Sequence, residues 1–146
     1  MNEHDPEGHG AGSEVPVSHP VIGEGATCLA RARSRITMSP ETARRVAANE
    51  IAKGDVIGAA RFAGIQAAKD AHTYLLALDP LPLSRVTVDA RVDADFIDVL
   101  ASAEATSTET ARLHALTAAT VAALTVYDMC KSVDRTMTIG PVAVVD

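Results

Sequence analysis

Three observations predict an α+β sandwich, one antiparallel sheet with helices packed on a single face. Residues 28–38, CLARARSRITM, alternate strictly between two kinds of side chain. Residues 108–133 read as one long helix, and the elements follow in the order strand, two helices, two strands, helix, strand. Period two marks a strand, and helices segregated from paired strands are buried by stacking on one side of the sheet. This order is that of the ferredoxin-like sandwich.

In the first strand Leu29, Arg31, Arg33 and Arg35 share one side, and Ala30, Ala32, Ser34, Ile36 and Met38 the other. The second side suits a core, whereas a row of arginines needs water, a carboxylate partner or an anionic ligand. Ser39-Pro40-Glu41 offers a capping hydroxyl, a proline at the first helical position and an early acid, so a helix is expected over 40–51. Lys53-Gly54-Asp55 breaks that helix, and Asp55 caps a second one expected over 56–76. Gly58, Ala59, Ala60, Ala63, Gly64, Ala67 and Ala68 leave this helix with little bulk, which makes sense where another backbone comes close.

Two prolines in Asp79-Pro80-Leu81-Pro82 force a loop. Residues 84–92 and 95–105 read as strands joined by a hairpin turn at Asp93-Ala94-Asp95, and 136–145 closes the chain with a strand around Gly140-Pro141.

The chain has 146 residues, 47% hydrophobic but only 3% aromatic, so one domain is expected with a core of small aliphatic side chains. Its net charge of -6 argues against a nucleic-acid binder that relies on bulk attraction. Residues 1–24 hold Glu3, Asp5, Glu7, Glu14 and Glu24 and no Lys or Arg; removing these five leaves 13 basic against 14 acidic residues. This segment reads as a disordered acidic leader, with the folded domain over 25–146. It carries no basic start before an apolar run, and no stretch approaches 18 uninterrupted apolar residues, so a cytoplasmic protein without membrane contact is expected. Cys28 and Cys130 suit two reduced thiols, at least one of them buried.

The long helix carries the candidate chemistry. His114, Thr117 and Asp128 fall on one stripe with Lys131 beside it, and Val121 and Leu124 interrupt the stripe, which points to polar groups partly buried beside a cleft. Asp128 and Lys131 are also spaced to form an ordinary i,i+3 ion pair. Lys53, next to Gly54 at a helix entrance, suits an anion or a plain surface turn. Arg61 and Lys69 lie eight residues apart on the following helix, where a common ligand is possible but not implied. Asp79, His114, Asp128, Lys53 and Lys131 together supply the acids and bases of proton transfer. No phosphate loop, dinucleotide fingerprint or cysteine metal site accompanies them, so no metal and no cofactor are expected.

KGDVIGAARFAGIQAAK at 53–69, LTAATVAALTVYDMCK at 116–131 and TMTIGPV at 136–142 closely resemble the molybdenum-cofactor biosynthesis protein C family, the cyclic pyranopterin monophosphate synthases. The resemblance spans about residues 27–145. It implies the ferredoxin-like fold, a hexamer built as a trimer of dimers with active sites at subunit interfaces, and conversion of a cyclised, phosphorylated GTP derivative with loss of pyrophosphate. It also implies catalytic roles for Asp128, Lys131 and Lys53, with Arg61 and Lys69 at positions that are basic in the family.

Other positions depart from the family pattern. Its Cys-His pair is Leu78-Asp79 here, its Glu-x-Glu is Arg112-Leu113-His114, and its lysine- and glycine-rich tail has no counterpart before Asp146. A carboxylate in place of an imidazole repels a triphosphate. The departures favour a repurposed enzyme performing cofactor-independent cyclisation, elimination or isomerisation of a small metabolite in a specialised pathway. In it, Asp79, His114, Arg112, Arg61 and Lys69 would shape the substrate pocket. The alternatives are the family's own synthase reaction or an inactive subunit.

Overall fold

A computed structural model describes residues 27–78 and 83–145; the expected leader over 1–24 and the 79–82 loop with Asp79 lie outside them. Strand β1 (Cys28–Thr37) is followed by α1 (Pro40–Ala47), α2 (Val56–Asp70) and a 3-10 turn (Ala71–Thr73). Then come β2 (Arg85–Val92), β3 (Phe96–Ala105), α3 (Thr108–Cys130) and β4 (Thr138–Val145). The sheet order is β2-β3-β1-β4 with every pair antiparallel, the ferredoxin-like arrangement.

Every expected element forms, but the helices stop early. Asn49 at φ 56 ends α1, with the Glu50 N–H bonded to the Arg45 carbonyl and the Asn49 N–H to the Val46 carbonyl, a Schellman closure that leaves Ile51 outside the helix. Continued apolar spacing hides such an end. Helix α2 tightens into the 3-10 turn at Ala71, so residues 71–76 leave the expected α-helix. Ser39 and Asp55 cap as expected, accepting from the Thr42 and Gly58 N–H groups.

The helical layer lies against Ala30, Ala32, Ser34 and Ile36 of β1 and the buried alternate residues of β3. Cys130 is buried as well, and burial pushes its thiol pKa up. Helix α3 is apolar enough by composition to cross a membrane, yet its buried stripe of Ala111, Ala115, Ala118, Ala119, Ala122, Ala123 and Val126 packs inside the domain. Ser34, wholly buried, donates its hydroxyl to the Ala119 carbonyl at 2.8 Å, which ties β1 to α3. On the open face Arg35 makes a two-pronged pair with Asp98, its direct cross-strand partner, at 2.7 and 2.9 Å, and stacks over Phe96. The carboxylate alternative for the arginine row therefore holds for Arg35, while Arg31 and Arg33 are exposed.

Small residues do mark close approach. A Cβ at Gly64 would stand 2.8 Å from the Ala118 carbonyl oxygen and 3.2 Å from the Ala122 Cβ. The clash is with backbone, which has no rotamer to give. Gly64→Ala is therefore expected to destabilise the protein despite the roughly 1 kcal/mol that alanine gains in helix propensity, because overpacking a tight core costs about 1–3 kcal/mol. Urea unfolding should show a lower midpoint at unchanged slope.

Candidate active site

The C-terminal end of α3 gathers the three groups expected there. Its last carbonyls lack intrahelical donors and carry the negative end of the helix dipole, so cations are favoured beside them. The Lys53 ammonium arrives from the turn between α1 and α2 and donates to the Asp128 carbonyl at 3.1 Å. Lys131, the C-cap, donates to Asp128 Oδ1 at 2.6 Å. The hydrogen bond from Lys131, the charge of Lys131 and then that of Lys53 hold the Asp128 carboxyl below the usual carboxylate range. A hollow of about 440 Å³ lined by Leu124, Thr125, Tyr127, Asp128 and Lys131 opens beside them.

Two expectations about this stripe need correction. Asp128 and Lys131 are not partly buried: their side chains are 61% and 52% exposed, as is Leu124 at 55%. Nor does His114 share their hollow. Fourteen residues separate it from Asp128, about 21 Å along the helix axis at ~1.5 Å per residue, and α2 covers α3 where His114 sits. A helical wheel shows angle but not axial distance or cover.

His114 is 2% exposed and its Nδ1 lies 2.8 Å from the Ala68 carbonyl of α2. A carbonyl only accepts, so Nδ1 carries the proton, and the bare Nε2 is buried with no partner among the described residues. Burial, reinforced by the charge of His72, lowers the imidazole pKa against the opposing effect of the Ala68 bond.

The other basic candidates are dispersed. Arg112 pairs loosely with Glu109 at 3.7 Å and lines a separate hollow with Leu29, Arg31 and Thr108 at the opposite end of α3. Arg61 reaches Asp89 of β2 at 3.4 Å, and Lys69 is exposed toward the end of α2. Asp134, Tyr127 and Thr125 were not singled out by sequence. For Asp134 a signal existed: Asp134-Arg135-Thr136 has the spacing of a side chain that accepts from the N–H two residues on.

The MoaC family model matches residues 24–146. The chain belongs to the MoaC family. It is 45% identical over 116 residues to the cyclic pyranopterin monophosphate synthase of Roseiflexus sp. (strain RS-1), an alignment that covers 78% of this chain and 73% of that relative. The Roseiflexus castenholzii protein of the same name is 45% identical over 115 residues, covering 77% and 73% of the two chains. That of Thermomicrobium roseum is 43% identical over 120 residues, covering 81% and 72%. The fold of this MoaC-family chain and its three matching strings thus have one origin, and its relatives are enzymes by name.

The buried imidazole sets a pH dependence. With its folded pKa below the ordinary value of about 6.5, native His114 is neutral at pH 7, and on acidification the unfolded chain takes the proton first. Its contribution is whole above about pH 6.5 and declines as pH falls from there through the folded value. Unfolding midpoints measured from pH 7 to 5 should fall more steeply for the wild type than for His114→Gln, which cannot titrate.

Proposed function

We propose that this chain catalyses the reaction for which its relatives are named, the formation of cyclic pyranopterin monophosphate, in the hollow at the C-terminal end of α3. One observation carries the reading: Lys53 and Lys131, far apart in sequence, converge on Asp128 beside an open hollow. Asp128, kept ionised by the two ammonium groups, serves as proton acceptor, and Lys131 at hydrogen-bond distance returns the proton. Lys53 and Lys131 together neutralise the phosphates of an anionic substrate and the charge of departing pyrophosphate. These groups perform acid/base and electrostatic work without a cofactor.

The repurposed reading stands second. It is favoured by Leu78-Asp79 in place of the family's Cys-His pair, with Leu78 buried. Its other support is weaker: His114 is a core residue and Arg112 sits at the far end of α3, so neither rewrites the wall of this hollow within its own protomer.

The family's hexamer accords with the open side of the hollow and the bare Leu124 beside it, which a neighbouring copy would cover. A cytoplasmic setting accords with the relatives' names and with α3 as a core helix. Light scattering should give a particle six times 15.2 kDa; a monomer would sink the interface site.

Asp128→Asn and Lys131→Ala should each lower kcat/KM by about 10²–10⁴-fold, the size of a lost acid/base group. Their unfolding midpoints should barely move, since both side chains are exposed. The wild-type gene should restore molybdenum-cofactor synthesis to a strain lacking the synthase. Failure to do so, with turnover of a different small metabolite that Asp128→Asn abolishes, would favour the second reading.

A further inference from the structure

Asp134 lies three residues beyond Lys131, 6% exposed, and its carboxylate is saturated with donors. Oδ2 accepts from the Ser39 N–H at 2.8 Å, and Oδ1 from the Thr136 N–H at 2.8 Å and the Thr136 hydroxyl at 2.6 Å. Burial works against this charge, yet the bonds from Thr136 and Ser39 outweigh it and hold the carboxyl well below the usual carboxylate range.

The donors come from distinct parts of the chain. Ser39 is the N-cap of α1, the helix that leads through a Schellman closure to Lys53. Thr136 opens the approach to β4. Asp134 itself closes the turn after α3, where the Val133 and Asp134 N–H groups both bond to the Cys130 carbonyl at 3.0 Å. One carboxylate therefore joins the segment carrying Lys53 to the segment carrying Lys131. Helix ends fray unless something holds them, and both lysines meet Asp128 on the last turn of α3.

We propose that Asp134 is a positioning residue: bound to Ser39 and Thr136, it keeps the turn after α3 closed and tied to the start of α1, and so holds the Lys53 and Lys131 ammonium groups on Asp128. It touches neither lysine nor the hollow. The role rests on the reading of the site given above, but its geometry is testable without turnover.

The test is the titration of the Asp128 carboxyl, followed by its carboxyl carbon NMR shift in the full-length chain. Wild type is compared with Asp134→Asn, and with Asp98→Asn, which weakens the Arg35 pair on the open face of the sheet, away from the helical layer. In Asp134→Asn the Asp128 midpoint should rise toward the ordinary aspartate value of about 3.9 as the ammonium groups move off. In Asp98→Asn it should stay at the wild-type value. Amides 131–134 should lose exchange protection in the first variant only. If Asp134→Asn does not fold, Thr136→Val removes one hydroxyl donor and should show a smaller rise of the same sign. An unchanged Asp128 midpoint in the folded variant, or an equal rise in Asp98→Asn, overturns the assignment. Because no substrate is used, loss of the synthase reading would leave this result standing.

Discussion

The close seating of α3 is the constraint on which the rest depends. Six of its nine buried residues are alanine, and what alanine gives up in buried area per residue it returns in proximity. The Ser34 hydroxyl can bond an α3 carbonyl, and α2 can lie so near that Gly64 faces the Ala118 carbonyl with no room for a methyl group. Helices held at such distances have little freedom to slide, because at Gly64 the first atom met is backbone and not a flexible neighbour. With the axis pinned along its length, the C-terminal end of α3 is delivered to one place at the margin of the domain.

What happens at that end follows from elementary electrostatics. The terminal carbonyls carry partial negative charge and need donors, so the Lys53 ammonium settles on that of Asp128. Asp128 completes the set at 2.6 Å from Lys131. The opposite end of the same helix has a different character. Ser107 caps it through the Thr110 N–H, Glu109 lies in its first turn, and Arg112 borders a separate hollow. Helix polarity thus sorts the charged residues of one element into two unrelated neighbourhoods.

Much of this was legible in the sequence, for reasons that differ by residue. The strict alternation of β1 and the Ser39 and Asp55 caps are local signals, and local chemistry decides them. Their order then leaves few topologies, and the ferredoxin-like one forms. The early end of α1 was hidden because Ile51 continues the apolar spacing while Asn49 quietly takes a left-handed conformation. His114 was misplaced for a related reason: periodicity assigned it a side of α3 but not the cover that α2 lays over that side. For Asp134 the turn to Thr136 is a local signal, but its tie to Ser39 spans about ninety positions and exists only in the folded chain.

The isolated protomer leaves a site whose charges face water, where a unit charge pair at 4 Å is worth only about 1 kcal/mol, against several times that where solvent is excluded. A hollow that is to stabilise developing charge must be closed on its open side. Within its own chain the described candidates for that wall lie elsewhere: His114 is bonded to Ala68, Arg61 reaches Asp89, Lys69 is exposed toward the end of α2, and Arg112 stands about 24 Å up the helix at ~1.5 Å per residue. The proposed hexamer answers this requirement directly, since a neighbouring copy that covers Leu124 would lower the effective dielectric around Asp128 and bring its own side chains to the rim. The departures from the family pattern at Arg112 and His114 then bear on chemistry only if the N-terminal half of a neighbour's α3 reaches this hollow. Where it does not, they are adjustments to packing, and the altered pair at Leu78-Asp79 alone separates the synthase reading from a change of substrate.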